Sequence, residues 1–185
     1  SFGERSRNWT NNEYDLPHGL FMLFARTGNK DVFRWAVKAA QHQADVDIIH
    51  AYPDPYYLGV NAQHGVGHTG VSHQRFIKPA TWSYPVDITY TGINGHTWSE
   101  GMLDCWSFTG DQRVMDAALE LGEHLTRYTA PRFKALGTHE RSGGWSMKAL
   151  IAYYKITGNK KYLDAMTRIA KIAMSEQKFN KGRAW

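Results

Sequence analysis

The chain has 185 residues, enough for one domain with a buried core, and its 42% apolar and 21% charged content is that of an ordinary globular protein. A net charge of +5, alongside 7 Trp, 10 Tyr and 9 His, suits an anionic partner such as nucleic acid, an acidic membrane or an acidic sugar polymer, and is equally that of proteins that bind none of these. No Lys/Arg run resembles a nucleic-acid arm, no apolar stretch has the ~20 residues of a membrane span, and a single cysteine, Cys105, rules out an internal disulfide.

In chain order, the first helix is expected at 13–27 and the second at 30–49. Between them lies Thr27-Gly28-Asn29, where glycine supplies the left-handed residue that ends one helix and asparagine caps the next. The same turn returns as Thr109-Gly110-Asp111 and as Thr157-Gly158-Asn159. Each copy is preceded by an apolar run and followed by an amphipathic one, as in Tyr162, Leu163, Met166, Ile169, Ala170 and Ala173. Helices are therefore expected at 97–109, 111–129, 145–157 and 159–177 as well. The unit is an αα-hairpin repeated three times, over about 13–49, 97–129 and 145–177, with one long inserted loop at 51–95.

The first helix of each hairpin is apolar nearly all round and the second is amphipathic. This is the pattern of an inner and an outer ring, an all-α partial (α/α)n toroid, rather than an open solenoid. Residues 1–185 then form a single domain, expected to be part of a larger toroid. Parallel inner helices open their N-termini on one side. That mouth collects Asn12-Glu13-Tyr14-Asp15, Asn94-Gly95-His96-Thr97 and Ser142-Gly143-Gly144-Trp145, while the opposite end carries only Thr-Gly turns.

Chemistry is expected at the mouth. His96 and Glu100 stand four apart, the spacing of an acid/base pair on one helix face, although Glu100 facing the helix dipole with His96 at its edge is the plainer alternative. His64, His68 and His73 in the insertion could ligate a divalent cation by residue type. The glycines between the first two oppose a helix and no Glu follows the first, so substrate contact or proton transfer is favoured and no metal or other cofactor is expected. Tyr90 and Arg141 are further candidates, the latter as a partner for a substrate carboxylate. Asn12, Tyr14, Asp15 and His18 surround the start of the first helix as substrate contacts or simple caps. Trp9, Trp98 and Trp145 fit sugar platforms, with rim packing as the alternative for each. Asp45 and Asp47 read as exposed or capping, and Cys105 as core.

Two segments carry a family resemblance: Trp9-Thr10-Asn11-Asn12-Glu13-Tyr14-Asp15-Leu16-Pro17-His18 before the first turn, and His96-Thr97-Trp98-Ser99-Glu100-Gly101-Met102-Leu103-Asp104 before the second. With the Gly-rich histidine loop, they resemble the central α/α-toroid catalytic domain of exo-acting rhamnogalacturonan lyases. The resemblance implies a domain with about twice as many helices, β-elimination on a uronic acid of an acidic polysaccharide, and a secreted or periplasmic location. It implies roles in neutralising the C6 carboxylate, removing the C5 proton and protonating O4, for which His64, His68, Tyr90, His96, Tyr14 and Arg141 are the candidates. Two alternatives stay open. One is a toroidal glycoside hydrolase drawing paired carboxylates from Glu13, Asp15 and Glu100. The other is a non-catalytic helical-repeat module that binds glycans.

Overall fold

The structure is a computed structural model in which residues 12, 14–61, 97–134 and 140–179 are described. Six helices pair as three hairpins: α1 (Leu16–Thr27) with α2 (Lys30–His42), α3 (Glu100–Thr109) with α4 (Gln112–His124), and α5 (Glu140–Thr157) with α6 (Lys160–Phe179). The inner helices α1, α3 and α5 follow one another side by side, and their outer partners pack behind them. This is the expected all-α arc of an α/α toroid. Among the described residues the sole β pairing is an isolated antiparallel bridge between Ile48 and Asn61, and no helix is long and apolar enough to cross a membrane.

The three turns share one chemistry. Gly28, Gly110 and Gly158 have φ of 66°, 72° and 66°, and their N–H groups bond back to Phe24, Trp106 and Tyr154 at 2.7–2.8 Å. Asn29 and Asn159 accept backbone N–H groups of the helices they begin, at 2.9 and 3.1 Å, and Asp111 does the same at 3.4 Å. The threonine has a role beyond the expected Gly and Asn pair. Thr27, Thr109 and Thr157 each donate to the carbonyl four residues back, at 2.6–2.8 Å, and accept from the N–H of the capping residue. One hydroxyl thus ties the end of one helix to the start of the next.

The starts of α1, α3 and α5 differ from expectation. α1 begins at Leu16 because Asn12, Tyr14 and Asp15 all have positive φ, 58–62°, which no α-helix accommodates. α3 begins at Glu100, so residues 97–99 lie outside it. The expected α2 and α4 extents hold, but each finishes in a five-residue π turn, Gln43–Asp47 and Leu125–Thr129. α5 begins earlier than expected, at Glu140.

The core joins Phe21 of α1, Ala36 and Ala40 of α2, Met102 and Leu103 of α3, Leu121 and Leu125 of the α4 arm, and Leu150 and Tyr153 of α5. Cys105 is fully buried, as expected. The inner helices are not covered all round. Met22 and Leu23 of α1 and Phe108 of α3 are exposed, because α1 packs mainly against α2 and α3 and its remaining flank meets no described helix.

The starts of α1 and α3 meet at Gly101. A Cβ there would stand 2.5 Å from the Pro17 ring and 2.6 Å from the His18 backbone nitrogen. Gly101→Ala is therefore expected to cost about 2–3 kcal/mol in urea unfolding. Gly28→Ala, whose Cβ meets nothing within 4 Å, is expected to cost only about 1 kcal/mol, for its left-handed backbone. Equal costs would remove this close approach as a constraint on the fold.

Candidate functional site

The site is built where the three inner helices begin. Asp15, only 2% exposed, sends its carboxylate across to α3, where Oδ2 accepts Glu100 N–H at 3.0 Å and Oδ1 accepts Gly101 N–H at 3.1 Å. These amides are orphan donors at a helix start, and the residue at the N-cap position, Ser99, makes no side-chain cap bond. Asp15 supplies the cap from 85 residues away. Burial pushes its carboxyl up to about 6, against the lowering pull of His18 and the Gly101 amide.

One turn further along α1, His18 Nδ1 lies 2.6 Å from Asp104 Oδ2 on α3. A carboxylate at Nδ1 fixes the tautomer with its proton there and leaves the Nε2 lone pair open. Nε2 has no partner among the described residues, and both side chains are about 30% exposed. Burial also raises the Asp104 carboxyl, opposed by the His18 bond. Glu100, at the head of α3, pairs with Lys148 of α5, whose ammonium stands 4.8 Å over the Trp145 ring. Each inner helix therefore contributes to one charged row.

Aromatic rings border the row. Trp98 and Trp145 meet edge to face at 5.7 Å, and Tyr14 lies 6.1 Å from the first and 6.3 Å from the second. Tyr14 is 58% exposed and Trp145 is half-buried, so both keep surface for a sugar face. Trp98 is 1% exposed, which is rim packing and not an open platform. Gln43 in the first π turn holds it by donating to the Trp98 carbonyl at 2.9 Å.

Asn12 donates to the Ala39 carbonyl at 3.0 Å and reaches Asp47 Oδ2 at 3.4 Å, which makes it a brace between the α1 start and the end of α2. Asp47 is 1% exposed and lies 3.6 Å from His42, so the expectation of an exposed or simply capping residue fails there. Asp45 is exposed as expected and pairs with Arg113.

α3 starts at Glu100 and residues 97–99 are not helical, so Glu100 is the first residue of its helix. His96 itself lies outside the described residues, as do Trp9, His64, His68, His73, Tyr90 and the side chain of Arg141. Among the described residues no group of three or more His, Cys, Asp or Glu could hold a metal ion. Sequence reasoning missed Asp104 and Lys148. Asp104 stands four residues after Glu100 on α3, a spacing that would have placed it in the next turn below. Lys148 carried no local signal.

Residues 7–82 match the family model described as the PcRGLX-like protein C-terminal alpha/alpha toroid domain. The match spans the first hairpin and part of the insertion, and supports the family resemblance read from the sequence. Its description places the toroid at the C-terminal end of those proteins, where the sequence resemblance placed it centrally. Comparison with curated proteins and with solved structures gives no match.

The raised Asp15 carboxyl has a defined sign. The folded state holds this proton more tightly than the unfolded chain, so the stability it adds is full below about pH 4 and is lost as pH rises through about 6. Asp15→Asn cannot titrate. The stability margin of the natural protein over this variant should narrow by about 2 kcal/mol between pH 4 and pH 7 in denaturant unfolding. A margin that does not change with pH would contradict the assignment.

Proposed function

We propose that the protein is a carbohydrate-active enzyme that cleaves a uronic-acid-containing polysaccharide, such as rhamnogalacturonan, by β-elimination at the mouth of the inner helices. The observation that carries this reading is the His18–Asp104 pair, a partly exposed imidazole oriented by a carboxylate beside exposed aromatic surface. An imidazole held in that way is suited to take a proton from carbon.

In this scheme His18 Nε2 removes the C5 proton, and the electron pair left on C5 forms the C4–C5 double bond. The C4–O4 bond breaks with its electrons going to O4, which takes a proton from an acid. Tyr14, exposed at the same mouth, is our candidate for that acid. Lys148, over the Trp145 ring, is our candidate to neutralise the C6 carboxylate, with Trp145 as the sugar platform. His64, His68, Tyr90, His96 and Arg141 keep their candidacy on sequence grounds, for proton transfer and carboxylate binding.

The hydrolase alternative needs one carboxyl free to donate and a second facing the sugar. The raised Asp15 carboxyl is the obvious donor by its titration, but both of its oxygens accept backbone N–H groups and it is buried. Glu100 is held by Lys148 and Asp104 by His18. Of the candidate carboxylates, Asp15 and Glu100 are already committed to protein partners, which weighs against a paired-carboxylate mechanism, and Glu13 lies outside the described residues.

Digestion of rhamnogalacturonan by the full-length protein should release products that absorb in the ultraviolet through their new double bond. His18→Ala should lower kcat by at least ~100-fold, the scale of general-base catalysis. Asp104→Asn should lower it less while leaving KM nearly unchanged. Release of saturated sugars alone would sink the lyase reading, and full turnover by His18→Ala would remove His18 as the base.

A further inference from the structure

A second basic and aromatic cluster lies at the same end of the bundle, away from the charged row. α4 runs from its turn toward the mouth, and the π turn that ends it leads into Ala130–Arg132. Arg168 of α6 fixes this segment by donating to the Ala130 and Pro131 carbonyls at 2.9 and 3.1 Å. The Arg132 guanidinium stands 4.3 Å over the Tyr56 ring and 5.5 Å from that of Tyr128. Those two rings meet at 4.8 Å, nearly edge to face. His124 packs beneath both, and its burial holds it down to about 4, hence neutral.

The cluster has two properties of a binding site for an anionic sugar. Contact with a ring face draws on the charge of a guanidinium and not on its N–H donors, so those of Arg132 remain to be used. Arg132 is exposed and forms no ion pair among the described residues, whereas the nearby Arg127 is engaged by Glu123. The arginine is also held in place before any ligand arrives, which lowers the entropy lost on binding. The tyrosines around it, Tyr56 and Tyr128, are half-buried and so offer apolar ring surface beside the cation.

We propose that Arg132, with Tyr56 and Tyr128, forms a remote subsite that binds the carboxylate of a uronic acid residue several sugars from the bond cleaved. The proposal rests on the lyase reading for the identity of the glycan. The subsite adds affinity for long oligosaccharides without touching the reacting atoms.

The test uses the full-length protein with a long and a short rhamnogalacturonan oligosaccharide, measuring binding by calorimetry and cleavage by ultraviolet absorbance. Arg132→Gln should weaken binding of the long oligosaccharide roughly tenfold, the equivalent of about 1.4 kcal/mol. Its affinity for the short one, and its kcat on either, should be unchanged. Tyr128→Leu should give a smaller loss of the same kind, with thermal melts confirming that both variants fold. Loss of long-chain binding in Arg132→Gln upholds the subsite even if no unsaturated product forms, so the two readings fail separately. Equal binding of the long oligosaccharide by the natural protein and Arg132→Gln overturns the proposal. So does an absence of binding by the natural protein, or an equal loss for both oligosaccharides.

Discussion

The mouth of this bundle depends on one carboxylate placed at the head of a helix to which it does not belong. Asp15 satisfies two α3 amides that would otherwise be orphaned, and does so from the strained stretch that precedes α1. That contact draws α1 and α3 so close that only glycine fits at position 101. It also sets the relative height of the two helices, which in turn brings His18 level with Asp104. Three consecutive features of the site, the cap, the close approach and the histidine pair, follow from this single placement. The cost is borne by residues in left-handed conformations, each unfavourable by about 1–3 kcal/mol, as strained backbone at a site generally is.

If the ligand is the uronate of the proposed function, the charged row has to reconcile an acidic mouth with an anion. Asp15, Glu100 and Asp104 would repel a uronate if all three faced it as free carboxylates. One is turned inward onto backbone amides, and the other two are neutralised locally by Lys148 and His18. On the proposed function, the open Nε2 of His18 and the ring surface of Tyr14 and Trp145 are what remain to meet the sugar.

What could be read in the sequence was local chemistry. The Thr-Gly-Asn turns announce themselves because every bond in them spans four residues or fewer, and the repeat then gives hairpins, parallel inner helices and a working end. The mouth itself was legible only as a collection of polar residues at one level. Asp15 acts across 85 residues, and no pattern of spacing points to that partner. Ser99, at the N-cap position, makes no cap bond of its own, and the tertiary contact supplies the acceptor that a local cap would. The widening of α2 and α4 into π turns was equally hidden, since their sequences continue an ordinary amphipathic rhythm. Trp98 illustrates the same boundary: its residue type suits a platform, but burial between Tyr14 and Trp145 is a property of the assembled rim.

The contrast between the two ends of the bundle has a kinetic consequence. Each hairpin closes across a two-residue turn, so it can form early and independently of the others. The cap between Asp15 and α3 must instead close a loop that includes the whole insertion between the first and second hairpins. Assembly of the mouth is thus the late event, awaiting the docking of preformed hairpins. Loop closure entropy grows only logarithmically, by about 0.6 kcal/mol for each doubling of length. The insertion can therefore lengthen or shorten at little cost to the helices it joins. Changes in its length would therefore leave the hairpins intact, while the Thr-Gly turns at the far end stay under tight local constraint.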